Sequence, residues 1–266
     1  MSKLLIINAD DFGWDSDSSD AIIDLLQQQK ISSTTILANC VKPGELAKLR
    51  TIESISTGLH LNLVSGQPLS EPGRNNSLTD NSGNFFSAAG LFQKFLTKSV
   101  SNNDIKNEIK AQINFLKDHG INISHADSHQ HLHQFPMLGK IITQTLKENG
   151  ITKIRNCHPT STPSMRAKII WTFAMLTRHN LAGFKSPEGL IPDFSFADLY
   201  DDPFFERILK HSFHGKNILE IMTHPGLADK PGSYLNRKQE YEFWKNTNIN
   251  TLFLKYDIKL IGYHQL

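Results

Sequence analysis

The sequence lacks the features that mark several specialised classes of protein. Its 266 residues include only two cysteines, Cys40 and Cys157, in a spacing that fits no metal or redox motif. A disulfide between them is compatible with the sequence, but a reduced cytoplasmic protein is the simpler interpretation. The apolar run near the amino terminus covers only residues 4–7, which is too short for a signal peptide or a membrane anchor.

A strong net charge is lacking as well. The chain has 28 Lys and Arg against 26 Asp and Glu, a formal net charge of +2, without a basic cluster. We therefore expect neither nucleic acid nor a membrane as a partner. No G-x-G-x-x-G motif follows the first apolar segment, which argues against a dinucleotide-binding fold.

Short apolar segments alternate with amphipathic ones along the chain. Strands are predicted at residues 4–8, 34–38, 56–63, 121–126, 152–156, 218–223 and 258–262. This alternation predicts an α/β fold with a parallel sheet, and seven strands in this length favour a (β/α) barrel over a flat sheet. We find no domain boundary, so residues 1–266 are predicted to form a single domain. Residues 65–90 and 157–200 are predicted as long loops over a site.

The densest group of chemically active residues lies between positions 124 and 133. Four of the 12 histidines fall there, His125, His129, His131 and His133, together with Asp127. In an extended segment all five side chains would point to one side, whereas in a helix His129 and His133 would share a face. Either arrangement predicts a site for a divalent metal ion. The alternative is a hydrated histidine-rich turn.

Polar side chains also recur at the carboxyl ends of the predicted strands. The set comprises Asp10, Asp11, His60, Asp127, His129, Arg155 and His224. In a barrel of parallel strands these ends converge on one face, which holds the active site. We therefore expect these side chains to lie close together.

Several of these residues also have a structural interpretation, and His60 in isolation fits a surface histidine or a hydrogen-bonded core histidine. One carboxylate of the Asp10–Asp11 pair can bind metal while the other accepts a proton, or the pair can cap a helix. Arg155 can keep a catalytic carboxylate ionised or form an ordinary surface salt bridge. His224 precedes a Pro-Gly turn at the predicted barrel mouth or caps a helix, and Glu220 is either a supporting partner or a structural acid.

Aromatic residues divide into two predicted groups. Trp171 and Trp244 lie in helical patterns and are predicted to be core residues. Five further aromatic residues lie in or next to predicted loops, where one or two could stack on a sugar ring; they are Phe12, Trp14, Phe85, Phe86 and Phe135.

Four segments together resemble the YdjC family of carbohydrate deacetylases. They are Asn-Ala-Asp-Asp-Phe-Gly at 8–13, Gly-Leu-His at 58–60, His-Ala-Asp-Ser-His-Gln-His-Leu-His at 125–133 and Glu-Ile-Met-Thr-His-Pro at 220–225. The segments follow the family order and span nearly the whole chain. The resemblance implies a distorted (β/α) barrel similar to NodB-type polysaccharide deacetylases.

The resemblance also implies roles for individual residues. It implies one divalent ion held by Asp11, His60 and His129, with Asp10 as the general base. Arg155 resembles the arginine that supports this base, and His224 resembles the histidine that protonates the leaving amine. The family is often assigned Mg²⁺, although two imidazoles and one carboxylate suit Zn²⁺, Mn²⁺ or Co²⁺ chemically.

The implied reaction is hydrolysis of the N-acetyl group of a 2-acetamido sugar or short chitooligosaccharide, with release of acetate. One alternative is metal-dependent hydrolysis of a phosphoester or a cyclic amide, although no P-loop is found. Another is a sugar- or metal-binding protein without catalysis, which would not need Asp10 beside Asp11. A small carbohydrate is the expected partner, and the sequence is compatible with a homodimer.

Overall fold

Parallel strands and helices alternate along the chain and build one curled sheet. The structure is a computed structural model and describes residues 2–70, 76–161, 164–192, 194, 197 and 200–266. The strands are β1 (Lys3–Phe12), β2 (Ser33–Ile36), β3 (Ser56–Leu61), β4 (Ile123–Ser128), β5 (Gly189–Ile191), β6 (Ile218–Thr223) and β7 (Ile258–Leu260). The helices are α1 (Ser16–Gln27), α2 (Pro43–Leu49), α3 (Ala88–Leu96), α4 (Asn102–Asp118), α5 (Gly139–Glu148), α6 (Met165–Thr177), α7 (Asp202–Ser212), α8 (Arg237–Asn246) and α9 (Ile249–Tyr256).

The sheet has the order β4-β3-β2-β1-β6-β5, and β7 pairs with the first residues of β1. Every strand pair is parallel. Residues 153–160 connect the two edges by single bridges, from Ile154 to Ala126 of β4 and from Pro159 to Leu190 of β5. The sheet therefore curls back on itself, and the predicted α/β fold with about seven parallel strands is confirmed.

Two of the predicted elements differ from the structure. Residues 152–156 are predicted as a strand, but they form only isolated bridges. Ile154 pairs with Ala126 of β4, and Lys153 pairs with Lys185. The strand β5 lies instead inside the predicted loop 157–200. Its three residues stand between Pro187 and Pro192, so they form no apolar run that the sequence pattern could reveal. Residues 71–75, 162–163, 193, 195–196 and 198–199 of the predicted loops lie outside the described residues.

The helices cover the outside of the sheet with the apolar stripes that the sequence predicts. In α1 the buried stripe includes Ile22, Leu25 and Leu26, and the Asp15 carboxylate caps the helix by accepting a hydrogen bond from the Ser18 amide. In α4 the buried positions include Ile105, Ile109, Ile113 and Leu116. None of the described helices is long and apolar enough to cross a bilayer.

The aromatic predictions are confirmed for some residues and wrong for others. Trp244 is fully buried, as predicted, but Trp171 is 41% exposed. The helix that carries Trp171, α6, has apolar residues on all sides, so the sequence pattern could not show which side faces the core. Phe12 lies inside β1 and is fully buried, and Phe85 is buried as well, so neither lies at an open loop surface.

The interior of the curled sheet contains buried polar side chains. The His125 ring is fully buried, stacks on Tyr263 at 3.7 Å between centroids, and contacts Ser124 and Asn8 through its two nitrogens. It fits only because residue 58 is glycine, since a Cβ atom there would lie 2.5 Å from the His125 ring. Burial lowers the pKa of His125 to about 3.

Buried neutral histidines make the stability of the fold sensitive to acid. The pKa of His125 is about 3 and that of His133 about 4 in the folded protein, whereas an unfolded histidine has a pKa of about 6.5. Below pH 6.5 these two histidines therefore bind protons in the unfolded chain but stay neutral in the folded protein. The free energy of unfolding should fall with decreasing pH by about 1.4 kcal/mol per pH unit for each ring.

Urea unfolding of the protein in the presence of a chelator, between pH 7.5 and 5.0, tests this expectation. His125→Gln should make the pH dependence shallower by the contribution of one histidine. The control His214→Gln, at an exposed position, should keep the wild-type dependence. An unchanged slope in the His125 variant would show that this ring is protonated in the folded protein.

Candidate active site

Three predicted metal ligands meet at the carboxyl ends of the strands. Asp11 lies at the end of β1, His60 in β3 and His129 directly after β4. The Asp11 Oδ1 atom is 3.4 Å from His60 Nε2 and 3.3 Å from His129 Nδ1. All three ligand atoms lie within 4.8 Å of one another, which suits a single ion between them.

The backbone of β1 explains how two adjacent aspartates reach one site. Side chains of neighbouring strand residues normally point to opposite faces. At this position the pairing of β1 with β2 shifts register between Ala9 and Phe12, and Asp11 adopts the left-handed conformation with φ of 65°. Both Asp10 and Asp11 therefore line the same pocket.

The two oxygens of Asp11 have different environments. Oδ2 accepts a hydrogen bond from Arg237 Nη2 at 2.5 Å, whereas the buried Oδ1 has no hydrogen-bond partner. Burial alone would raise the pKa of Asp11, but His129, His60 and Arg237 hold it well below its usual range. A buried, ionised oxygen without a donor, facing two imidazoles, fits a divalent cation.

His60 is oriented by a carboxylate behind it. Its Nδ1 atom lies 2.7 Å from Asp127 Oδ1, which leaves Nε2 facing Asp11. This carboxylate–histidine arrangement fixes the tautomer of a metal-binding imidazole. Burial alone would lower the pKa of His60, but Asp127, Asp11 and Asp10 raise it to about 10. A proton thus occupies the ring in the metal-free protein, and an ion has to displace it.

Arg155 is fully buried between three carboxylates. It donates two hydrogen bonds of 2.6 Å to Asp10, lies 2.7 Å from Asp127 Oδ2, and donates to Glu220 Oε1 at 2.8 and 2.9 Å. Burial alone would raise the pKa of Asp10, but the charge and hydrogen bonds of Arg155 lower it well below its usual range. Glu220 also accepts a hydrogen bond from Tyr263 and so belongs to the support of Arg155.

His224 faces Asp10 from the end of β6. Its Nε2 atom is 3.9 Å from Asp10 Oδ2, and its backbone amide donates to Glu240 Oε2 at 2.6 Å. Burial lowers the pKa of His224 to about 4, so the ring is neutral near pH 7. Burial also raises the pKa of Glu240 to about 7.

The histidine-rich segment is extended, one of the two predicted geometries, only as far as Ser128. Strand β4 ends at Ser128, and residues His129–Gln134 form a 3₁₀ segment. Within it Gln130 and His131 are left-handed, with φ of 55° and 60°, which interrupts any regular helix. Successive side chains therefore diverge, and His129 alone of the four histidines enters the metal cluster.

The remaining histidines have structural contacts. His131 Nδ1 lies 3.5 Å from the Cys157 thiol, and His133 bonds with Ser128 Oγ at 2.7 Å and with the Arg155 carbonyl at 3.1 Å. Cys157 and Cys40 are both free thiols. These contacts fix the backbone around Arg155 and leave the metal cluster to His129.

The metal cluster lies in a pocket of about 490 Å³, within the size range of small-molecule sites. Trp14 lines this pocket with its ring 5.5 Å from that of His129, so one predicted loop aromatic does border the site. The predicted loop 157–200 contributes only Arg166 to the pocket among its described residues, and residues 65–90 contribute none of theirs. Residues 230–235 form the rim instead.

The pocket also contains a functional residue that the sequence did not suggest. Arg237 is 4% exposed at the start of α8 and binds Asp11, yet it follows Asn236 in an ordinary polar segment that carries no motif. By holding Oδ2, Arg237 leaves Oδ1 as the oxygen of Asp11 that could bind a cation.

A family model described as YdjC-like protein matches residues 4–254. The chain belongs to the YdjC-like family. This YdjC-like protein is 28% identical to a chitooligosaccharide deacetylase of Yersinia enterocolitica over 269 residues, 99% of this chain and 97% of that protein. It is also 28% identical to a chitooligosaccharide deacetylase of Escherichia fergusonii over 276 residues, with the same coverage of 99% and 97%.

Solved structures share the fold. A candidate cellobiose-phosphate cleavage protein of Enterococcus faecalis superimposes with a TM-score of 0.77 at 21% identity, over 100% of this chain and 99% of that one. A mutant of a CE4 family pseudoenzyme with restored enzymatic activity superimposes with a TM-score of 0.51 at 12% identity, over 100% and 67%. The YdjC-like chain thus has the fold that its sequence predicts.

Metal titration tests the proposed ligand set. The protein should bind about one divalent ion per chain, and His60→Ala and His129→Ala should each weaken binding at least about ten-fold, since each removes one of three ligands. At pH 7.5 binding should also release about one proton from His60, because its pKa is about 10 in the metal-free protein. Isothermal titration calorimetry in buffers of different ionisation enthalpy measures both quantities.

His131→Ala provides the control for these variants. It changes a histidine of the same 3₁₀ segment that contacts Cys157 and lies outside the cluster. Its metal affinity should stay within a few-fold of wild type. Unchanged affinity in both ligand variants, or an equal loss in the control, would contradict the assignment.

Proposed function

We propose that this YdjC-like protein hydrolyses the N-acetyl group of a 2-acetamido sugar or short chitooligosaccharide with the help of one divalent ion. The observation that carries the proposal is the Asp11–His60–His129 cluster beside an ionised Asp10 and His224 in one pocket. The named activity of the Yersinia and Escherichia relatives supports it. The products would be acetate and an amino sugar.

The donor set suits a catalytic ion. Asp11, His60 and His129 would hold it, and two imidazoles with one carboxylate suit Zn²⁺, Mn²⁺ or Co²⁺, while Mg²⁺ stays the prediction from the family resemblance. When bound, such an ion activates water and polarises a carbonyl group. Three protein ligands leave coordination positions for water and substrate.

Asp10 is placed to accept a proton from the attacking water. Arg155 keeps its carboxylate ionised at any pH near neutrality, so the group is always in the accepting form. The same two hydrogen bonds of 2.6 Å hold the carboxylate in a fixed orientation at the wall of the pocket. Because Arg155 also lowers the proton affinity of Asp10, the carboxylate passes a proton on readily.

His224 is placed to receive that proton and deliver it. Its pKa of about 4 lies above that of Asp10, and the two groups are 3.9 Å apart. A proton that leaves the attacking water can thus move from Asp10 to His224 and then to the amide nitrogen as the C–N bond breaks. An unprotonated amine is a poor leaving group, so this delivery is needed.

Two of the cations around the pocket, Lys230 and Arg237, are paired with carboxylates, which favours a neutral acetamide over a phosphoester. Lys230 is paired with Asp15 and Asp17 at 2.9 Å, and Arg237 is paired with Asp11. The Arg166 guanidinium lies over the Tyr234 ring at 4.9 Å. A sugar with a neutral acetamide needs no free cation here.

Acetate release decides between the proposal and its alternatives. N-acetylglucosamine, its short oligomers, a phosphoester and a cyclic amide should be incubated with the protein and Mg²⁺, Zn²⁺, Mn²⁺ or Co²⁺. Release of acetate from the sugars alone supports deacetylation. Binding of the sugars without any release would favour a carbohydrate-binding protein, and turnover of another bond would favour that hydrolase.

The cellular setting remains a prediction. Both thiols are free, in keeping with a reducing compartment, and we propose that the enzyme acts in the cytoplasm. A homodimer is compatible with this proposal.

Asp10→Asn should separate catalysis from metal binding. The substitution keeps the shape of the side chain but removes its ability to accept a proton, so turnover should fall by about two orders of magnitude or more while metal content stays unchanged. Asp11→Asn is the matched variant, and it should lose metal. Metal analysis and acetate release from N-acetylglucosamine oligomers measure the two effects, and swapped phenotypes would reverse the two roles.

The loss of turnover caused by His224→Ala should depend on the leaving group of the substrate. Turnover of an N-acetyl sugar should fall by about two orders of magnitude, whereas a nitroanilide of acetic acid should lose much less, because its amine needs less proton assistance. Metal content should not change, since His224 lies outside the cluster. An equal loss for both substrates would rule out proton delivery as the role of His224.

A further inference from the structure

A second cavity lies beside the metal pocket, between helices α3 and α6. Its volume is about 220 Å³. Most of its lining is apolar and includes Leu91, Phe92, Phe135, Ile169, Ile170 and Phe173. The ring of Phe135 meets Phe92 and Phe173 edge to face at 5.8 and 5.0 Å, so part of the wall is a packed aromatic surface.

The second cavity adjoins the metal pocket and shares part of its wall. Gln130, His131 and Arg166 line both. A third space of about 20 Å³ is bordered by residues of both cavities, among them Cys157 and Met222. The left-handed residues Gln130 and His131 therefore form the partition between the site of chemistry and the apolar cavity.

Helix α6 turns its apolar residues towards this cavity and the solvent. It buries only the small residues Ala167, Ala174 and Thr177. Ile169 is 49% exposed and lines the cavity, while Leu176 is 61% exposed and lies outside its lining. A helix normally buries its large apolar residues, so α6 leaves an apolar surface on the cavity side that can accept an apolar ligand.

The polar groups of the cavity are poorly suited to hydroxyl groups of a further sugar. Gln134 accepts from the Cys157 amide at 2.5 Å and donates to the Ala174 carbonyl at 3.4 Å, so both ends of its amide are engaged. A hydroxyl group placed among the phenylalanines would lose its hydrogen bonds to water without replacement. Away from the wall shared with the metal pocket, the lining therefore favours hydrocarbon.

We propose that this cavity is a subsite for an apolar substituent, an alkyl or acyl chain, carried by the same molecule whose acetamido sugar occupies the metal pocket. The inference rests on the proposed deacetylation. The shared wall of Gln130, His131 and Arg166 favours the substrate as occupant, because a chain attached to a sugar in the metal pocket has only this wall to pass.

A pair of substrates that differ only in their chain tests the subsite. Octyl and methyl glycosides of N-acetylglucosamine, below the micelle concentration of the former, are compared by acetate release with the metal-loaded protein. Each buried methylene contributes up to about four-fold in affinity, so kcat/KM should be at least about ten-fold higher for the octyl glycoside. Calorimetric binding of both compounds to the metal-free protein gives a measurement that needs no turnover.

Two variants of helix α6 test whether the preference for the octyl glycoside arises in the cavity. Ile169→Asp places a charge in the cavity and should abolish the preference for the octyl chain while retaining turnover of the methyl glycoside. Leu176→Asp makes the same change at an exposed position outside the cavity and should keep the preference.

The outcomes separate this proposal from the proposed function. Equal kcat/KM for the two glycosides in the wild type would overturn the subsite and leave deacetylation intact. Absence of turnover with both glycosides and with the N-acetylglucosamine oligomers would refute deacetylation, and the binding measurement would still decide the subsite. Loss of the preference in both variants, or self-association that both abolish in light scattering, would assign the apolar face to a second copy or a lipid surface and overturn the proposal.

Discussion

The buried guanidinium of Arg155 is the interaction on which the interior depends. Carboxylates from β1, β4 and β6 converge on it, namely Asp10, Asp127 and Glu220. Removing one partner of such a buried cluster leaves an uncompensated charge, which costs about 3–5 kcal/mol. The cluster therefore joins three strands through charge in a place where most barrels use apolar packing, and it fixes the atoms that the proposed chemistry uses.

The balance of charge around this cluster explains why an ion belongs at its outer edge. Asp10, Asp11, Asp127 and Glu220 face the guanidinium groups of Arg155 and Arg237, so when all carboxylates are ionised negative charge is in excess. Without metal, a proton on His60 offsets part of it. A divalent ion would replace that proton and offset the excess more fully, since buried charge without a partner is costly.

Sequence patterns revealed the features that repeat along the chain. Alternation of apolar segments predicted the parallel sheet, and polar residues at strand ends predicted that Asp11, His60 and His129 lie close together, because topology alone brings strand ends together. The choice of these three as metal ligands came from the family resemblance. The turn after His129 was not predictable, since two consecutive left-handed residues follow from tertiary contacts and not from local preference. Arg237 and the rim at residues 230–235 were missed for a similar reason: they reach the site from a distant loop.

The ion pairs of the pocket differ in burial, and therefore in how strongly dissolved salt weakens them. Lys230, which bridges Asp15 and Asp17 at the rim, is partly exposed, so dissolved ions screen these pairs. Arg155 and Asp10 are buried, and mobile ions do not enter between them. Ionic strength can therefore loosen the entrance of the pocket and alter how a substrate arrives, while the electric field at the carboxylate inside stays the same.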